Sequence, residues 1–387
     1  MDQHARGRRA YEGLTGVPAE DALARIREQS PQMYATLVDY AAAGVVTHAE
    51  LGWAERELVT VAVLAALGGA EGQLATHTRA ALHQGHAASE LLALCEHVAL
   101  YAGLPRALNA LAVVDEVLTA SGLPGPAALR TVRLADHDTV VARRGDEGPP
   151  VLLVHSLGVD WRMWEPVMER LAAGRRVFAY DIRGHGAAAG APAATGMSGL
   201  GTDLVAVLDA LELERAHVVG LSVGGAIGQT AAVLHPGRIA SLALLAAPDH
   251  PVPEAFESRA RAAETEGMDA QIAPTLTRWF TPEALAENTW GVRYARERVR
   301  RFDPADWAAT WRAYKTLDVR DRLRDLQAPT LVVAGELDAA APPAFMSGVA
   351  GRIPGSVYRE LPRAPHMQTL EQPGPLADIL DGFLPVG

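Results

Sequence analysis

The sequence predicts two domains, an all-α helical domain and then an α/β domain with a mostly parallel, doubly wound sheet and a helical cap. Three observations predict this. The 387 residues exceed what one hydrophobic core usually organises. Between residues 19 and 120 every apolar pattern has helical period. Beyond the Pro/Gly-rich break Ser121-Gly-Leu-Pro-Gly-Pro126, short apolar runs alternate with helical patterns. The domains are accordingly assigned to residues 1–122 and 123–387.

In the first domain, Ser30-Pro31 reads as an N-cap with proline in the first helical turn, and Gly44 as the end of that helix. The stretch 50–67 is amphipathic at first and then apolar all round, so its later part is expected to be buried. Gly68-Gly69 stops it. Helices 71–84, 88–101 and 106–119 follow, separated by Gly85, Gly103 and Pro105. In the second domain, strands are expected at 130–136, 138–144, 150–154, 176–180, 216–221, 239–246, 329–334 and 356–361. The first two suggest an antiparallel hairpin. The later ones are joined by helices, as a parallel sheet requires. The stretch from about 252 to 325 is helical, interrupts the alternation, and is long enough to cap a site.

Composition excludes several function classes. A formal charge of −11 argues against a nucleic-acid partner and gives no reason for attraction to an anionic membrane. It leaves room for an anionic small substrate, because a few local arginines outweigh a diffuse field. The lone cysteine, Cys95, lies in an apolar helical pattern and reads as a small core residue. No intramolecular disulfide can form, which fits a reducing compartment. The first residues lack the apolar stretch of a signal peptide, and the apolar run 59–67 is too short to span a bilayer. A soluble, cytoplasmic protein is expected. His77, His83, His86 and His97 are spread over helices 71–84 and 88–101 and the turn between them without a cluster of acids, so no metal is expected. No phosphate-binding glycine loop is present, and no cofactor is expected.

Ser222 lies in Gly220-Leu221-Ser222-Val223-Gly224, directly after the apolar run His217-Val218-Val219. This is the strand–turn–helix setting of a strained nucleophile elbow, where small residues must flank the serine. Two partners follow. Asp338 ends the apolar run that begins at Thr330, in Gly335-Glu336-Leu337-Asp338, and His366 follows the run that ends at Leu361. The order Ser, Asp, His is that of α/β-hydrolases. A serine hydroxyl attacks poorly until a histidine takes its proton, and the histidine needs a carboxylate to fix its tautomer. Asp249 and, more weakly, Glu336 are rival acids. The run Val151-Leu-Leu-Val154 leads into His155-Ser156-Leu157-Gly158. One oxyanion donor in this fold comes from that loop and the other from the residue after the nucleophile, which nominates the N–H groups of Leu157 and Val223.

Residues 128–385 resemble the 3-oxoadipate enol-lactonases. The matching stretches are Ser156-Leu-Gly-Val-Asp-Trp-Arg162-Met-Trp164, Tyr180-Asp-Ile-Arg-Gly-His-Gly186, the elbow, Arg278-Trp279-Phe-Thr281, and His366 followed by Glu371-Gln-Pro. The first domain resembles the carboxymuconolactone decarboxylases, within the wider alkylhydroperoxidase-D-like group, through Glu55-Arg56-Glu57-Leu58, Leu74-Ala-Thr-His77-Thr-Arg79, and Tyr101-Ala-Gly-Leu-Pro105 with Asn109-Ala110. The paired cysteines of the peroxidase branch are missing, with Leu74 and His77 in the matching stretch. Two departures stand out. The decarboxylase-like part comes first, and residues 45–50 replace the Trp and Arg-Pro pair usual in that family.

The two resemblances imply neighbouring steps of protocatechuate breakdown in one chain. Those are 4-carboxymuconolactone decarboxylation and serine-dependent opening of the 3-oxoadipate enol-lactone, a small-molecule lactone bearing a carboxylate. The alternative is a natural-product lactone or ester hydrolase whose helical domain decarboxylates another acid or only drives assembly. Arg162, just after the oxyanion loop, is the candidate for holding the substrate carboxylate, and Trp279 for an apolar wall. His77 is the candidate proton donor of the first domain, with Arg56 or Arg79 as carboxylate binders. The resemblance and the long apolar runs of the first domain imply a homo-oligomer assembled through it.

Overall fold

The structure, a computed structural model, describes residues 2–48, 50–123 and 125–386. Ala49 of the departing stretch 45–50 and Pro124 of the break lie outside the described residues. The chain forms two compact units, Met1–Pro126 and Ala127–Gly387.

The first unit is helical throughout. It begins with helix Gln3–Thr15, which the apolar pattern did not reveal. Two of its three buried positions are Gly7 and Ala10, which give no periodic signal. Gly7 is required by close approach, because a Cβ there would lie 2.0 Å from the Val38 carbonyl oxygen. Short helices Ala19–Ala22 and Ala24–Gln29 follow, and Ser30 caps helix Pro31–Ala35 by accepting the Met33 N–H at 3.3 Å. Gly44 does not end it. The chain continues in wider π-helical turns from Thr36 to Val46, and the Trp53 indole then takes the Val46 carbonyl. Helices Trp53–Leu67, Glu71–His83, Ala88–Ala102 and Leu104–Ala120 follow. Gly68 and Gly103 end the first and third of these with positive φ. Val61, Leu74, Leu91 and Val114 anchor their core, and Cys95 is buried among them. Burial pushes its thiol up to about 11, so it packs as a small hydrophobe.

The second unit is an eight-stranded sheet: β1 (Ala128–Arg133), β2 (Asp138–Arg144), β3 (Pro150–Val154), β4 (Arg176–Tyr180), β5 (Ala216–Leu221), β6 (Ile239–Leu245), β7 (Thr330–Gly335) and β8 (Val357–Leu361). The order is β1-β2-β4-β3-β5-β6-β7-β8. The β1–β2 and β2–β4 pairs are antiparallel and the rest parallel. β1 runs Ala128–Arg133 rather than 130–136, and the other seven strands lie within one residue of their expected bounds. The central strands are continuous apolar runs because helices cover both faces, and Val151 to Val154 are fully buried. Between β6 and β7 stand five helices, Pro253–Glu266, Met268–Trp279, Pro282–Glu287, Trp290–Arg300 and Pro304–Tyr314. The carboxyl ends of β3, β5, β6, β7 and β8 each feed a loop toward the site, as open α/β sheets do.

Candidate active site

Ser222 joins β5 to helix Val223–Leu234 with φ 56° and ψ −119°, a conformation that costs a non-glycine residue strain. Two features hold it there. Its N–H donates to Leu245 O at 2.9 Å. The flanking glycines also let the turn close: a Cβ on Gly220 would meet Gly224 at 2.4 Å, and one on Gly224 would meet the Val154 oxygen at 2.1 Å. Val223 is the first residue of the following helix, so its N–H has no partner within the helix.

The loops after β7 and β8 bring Asp338 and His366 together. His366 Nδ1 is 2.9 Å from Asp338 Oδ2, and both side chains are buried. The other carboxylate oxygen accepts N–H bonds from Ala340 at 2.7 Å and Ala341 at 2.9 Å. Burial alone would raise the carboxyl pKa, but the imidazole and the two N–H groups outweigh it and hold the pKa below its ordinary value. The rivals are engaged elsewhere. Asp249 bonds His250 Nδ1 at 2.6 Å and pairs with Arg352 at 3.1 Å. Glu336 accepts the Arg363 N–H on the exposed side of its loop.

The oxyanion loop is fixed by two neutral histidines. Gly158 N–H donates to His185 Nε2 at 3.1 Å, and Ile182 N–H donates to His155 Nε2 at 2.9 Å. Each ring donates its Nδ1 proton to a backbone carbonyl, Arg183 for His185 and Ser156 for His155. Burial holds His155 down to about 4 and His185 well below its ordinary value. This gives the Arg-Gly-His-Gly motif a physical role, because it shapes the turn that presents Leu157. Gly158 has φ 82°, and a Cβ there would strike Trp307 at 2.7 Å.

Leu157, Ser222 and His366 open onto one cavity of about 280 Å³, roofed by cap residues that include Trp279, Trp307 and Trp311. Trp279 is thus part of the cavity wall. Sequence stretches far apart meet here for a reason. Thr281 donates its N–H and hydroxyl to the two Glu371 oxygens at 2.8 and 2.7 Å, and Met367 N–H donates to Trp279 O at 3.0 Å. The cap is thereby tied to the loop that carries His366.

Arg162 is not among the cavity residues. Its guanidinium pairs with the buried Asp160 at 3.1 Å and lies over the Trp161 ring. Asp160 also binds Arg298 at 2.6 Å and the Tyr294 hydroxyl at 2.8 Å, both from the cap. Burial raises the Asp160 pKa, and Arg162 and Arg298 more than reverse this. The cavity instead holds two cationic side chains to which the sequence reading gave no binding role, Arg259 and Arg278. It also holds Tyr314, whose buried hydroxyl makes no well-formed hydrogen bond. Burial raises this phenol's pKa, while the nearby Ser222 side chain pulls it partly back.

In the first unit, His77 Nδ1 is 2.8 Å from Glu57 Oε2. Glu57 is 1 % exposed, whereas the His77 side chain is 30 % exposed. Glu57 was missed as a site residue. Its signal was the phase of the helix, whose buried stripe is Glu57, Val61 and Ala65. Arg56 spends its guanidinium on the carbonyls of Leu51 and His48, and Arg79 is exposed with a 3.4 Å bond to Thr76. The structure brings neither to a carboxylate-binding pocket beside His77. Among the described residues no group of three or more His, Cys, Asp or Glu could hold a metal ion. No helix among them is long and apolar enough to cross a membrane.

A family model described as alpha/beta hydrolase fold matches residues 149–373. The chain belongs to the α/β-hydrolase fold family. Residues 31–116 match the carboxymuconolactone decarboxylase family, so this α/β-hydrolase carries a decarboxylase-type helical domain ahead of it. Over 240 residues the hydrolase part is 29% identical to 3-oxoadipate enol-lactonase 1 of Acinetobacter baylyi, covering 62% of this chain and 90% of that protein. The enol-lactonase structure from Burkholderia xenovorans LB400 superposes with a TM-score of 0.62 at 30% identity, over 66% of this chain and 99% of that one. A thermophilic esterase from Thermogutta terrifontis follows with TM-score 0.61 at 28% identity, over 66% and 98%. The fusion of an enol-lactonase-like α/β-hydrolase with a carboxymuconolactone decarboxylase-like domain thus holds at family level.

Proposed function

We infer that the chain is a bifunctional enzyme of the β-ketoadipate type. Its helical domain decarboxylates 4-carboxymuconolactone, and its hydrolase domain opens the resulting 3-oxoadipate enol-lactone through Ser222. The observation that carries the hydrolase half is the strained Ser222 sharing one cavity with His366, whose ring is fixed by Asp338. His366 uses Nδ1 for Asp338, which leaves Nε2 to take the serine proton. Ser222 Oγ attacks the lactone carbonyl, and the N–H groups of Leu157 and Val223 take the oxyanion. The ring C–O bond breaks, the enol oxygen receives the proton back from His366, and the enol becomes a ketone. Water, with His366 as base, then frees the acid from the serine.

The decarboxylase half is supported by His77 and Glu57. Loss of carbon dioxide leaves a carbanion or enol that needs a proton, and a half-exposed histidine backed by a buried carboxylate can deliver one. The two halves are separable in one assay. The whole protein is given 4-carboxymuconolactone and 3-oxoadipate enol-lactone in separate reactions, and carbon dioxide release and lactone disappearance are followed independently. Carbon dioxide from the first substrate and ring opening of the second are expected. Failure of either removes that half alone.

Assembly belongs to the same reading. Val59, Val63 and Leu67 form one exposed apolar stripe at four-residue spacing, and Leu104 and Leu108 form another on helix Leu104–Ala120. Second copies of the helical domain are the proposed cover for these stripes, giving a dimer or larger ring. A cytoplasmic location accords with the single buried thiol.

A further inference from the structure

We propose that Arg259 and Arg278 form a carboxylate seat in the hydrolase cavity, so the enzyme selects lactones and esters whose acyl portion ends in a carboxylate. This rests on the hydrolase reading above and adds the residues that set its specificity. Arg259 comes from cap helix Pro253–Glu266 and Arg278 from cap helix Met268–Trp279, and both are half-buried in the cavity wall with Ser222 and His366.

Three observations converge. First, among the described residues neither arginine is paired with an acid. Arg259 lies 4.8 Å over the Trp311 ring, and Arg278 makes one 3.3 Å bond to the Thr275 hydroxyl. The acids Glu257 and Glu264, on the same helix as Arg259, are instead taken up by Arg261, Arg312 and Lys315. Second, the two guanidinium groups repel one another. Burial, and then Arg259, lower the Arg278 pKa to about 10. Partly desolvated like charges without a counter-ion are a cost that a bound anion removes. Third, apart from its approach to the Ser222 side chain, the buried Tyr314 hydroxyl makes no well-formed hydrogen bond, in a wall that includes Trp279, Trp307 and Trp311. Such a donor fits a ligand that brings its own acceptors. The planar forks of two arginines suit a carboxylate, and the aromatic wall between seat and serine suits a short acyl chain.

The test uses the full-length protein and two p-nitrophenyl esters, the hemiglutarate, which ends in a carboxylate, and the neutral butyrate. The readout is the ratio of their kcat/KM values. Arg259→Gln and Arg278→Gln should each lower that ratio about 10- to 100-fold, the size of losing charge-assisted hydrogen bonds. Arg162→Gln should leave it within about 3-fold, since Arg162 does not line the cavity and any effect through Asp160 acts on both esters alike. A ratio unchanged in both cavity variants overturns the seat, as does a fall confined to Arg162→Gln. Arg278→Lys keeps the charge without the fork. It should recover part of the ratio, and it serves if the glutamine variant fails to fold. A second arm is independent of turnover. Ser222→Ala protein is titrated calorimetrically with glutarate, and binding should weaken at least about 10-fold when Arg278→Gln is added. Retained glutarate binding in that double variant overturns the seat even if both esters are hydrolysed. Lost binding supports it even if neither ester is a substrate.

Discussion

Each unit of the chain holds a histidine–carboxylate pair, and the two pairs are nearly alike in length. His366 is 2.9 Å from Asp338, and His77 is 2.8 Å from Glu57. Both carboxylates are buried. The difference lies in what surrounds the ring. His366 is enclosed and shares its cavity with a serine held at positive φ, under an aromatic roof. His77 is more exposed, and Leu74 occupies the turn before it, where the peroxidase branch has a thiol. A histidine–carboxylate pair supplies a tunable proton in either setting. The third partner decides whether that proton activates a nucleophile or quenches a carbanion.

The sharpest way to break the comparison is Ser222→Ala. Lactone opening should fall by at least about 10⁴-fold, while carbon dioxide release persists, because the serine belongs to one pair only. Near-full lactonase activity in this variant would sink the covalent route. Asp338→Asn should cost about 10⁴-fold in kcat by disturbing the imidazole tautomer, whereas Asp249→Asn should cost far less. The reverse ranking would transfer the acid's role to Asp249. In the other unit, His77→Gln or Glu57→Gln should lower carbon dioxide release about 10²- to 10⁴-fold and leave lactone opening intact. If both activities fell together, a shared folding defect would replace the reading of two independent sites.

Much of the hydrolase site was legible because its residues sit where strand patterns end. Ser222, Asp338 and His366 each follow a buried apolar run, and their chain order is distinctive. The cap residues were not legible in this way. Arg259 and Arg278 lie on helices of mixed polarity, and which face turns inward is set by packing among the cap helices. Proximity in sequence misled for Arg162, whose side chain turns to Asp160 rather than to the cavity. Glu57 was hidden inside Glu55-Arg56-Glu57, three consecutive charged residues of which only the last is in phase with Val61 and Ala65. Helix Gln3–Thr15 escaped because small residues make its contacts.

The pair comparison also predicts a pH signature. His155 and His185 are buried neutral beside the Ser222 site. In the unfolded chain an imidazole takes up a proton near 6.5, whereas folded His155 resists down to about 4. Acid therefore makes His155 a destabilising group as pH drops from about 6.5 to about 4, and its contribution is constant below that. His185 acts in the same direction. The buried Asp181 carboxyl, pushed up to about 7, acts in the opposite one. Thermal melts of the wild type and of His155→Asn across that range separate the histidine's share: the variant should lose part of the fall in Tm toward acid, and the same pH dependence in both proteins would contradict it. A smaller effect is expected at the apolar stripes. Leu104→Glu in the full chain should shift light-scattering mass toward the monomer while leaving ester hydrolysis within about 3-fold, since it changes an exposed residue of the other unit. A wild-type monomer would remove the assembly proposal.

Asp160 has a further consequence. This carboxylate lies three residues beyond Leu157 and is bound by Tyr294 and Arg298 from cap helix Trp290–Arg300. Lifting that helix would strip the partners from a buried charge, at a cost of several kcal/mol. That corner of the cap is therefore a bolted roof rather than a hinged door, and the turn presenting an oxyanion donor is bolted with it. The cavity also reaches Val252, which is 54 % exposed at the start of the cap. Passage of substrate and product is expected at that rim, where the chain has left β6 and enters the cap.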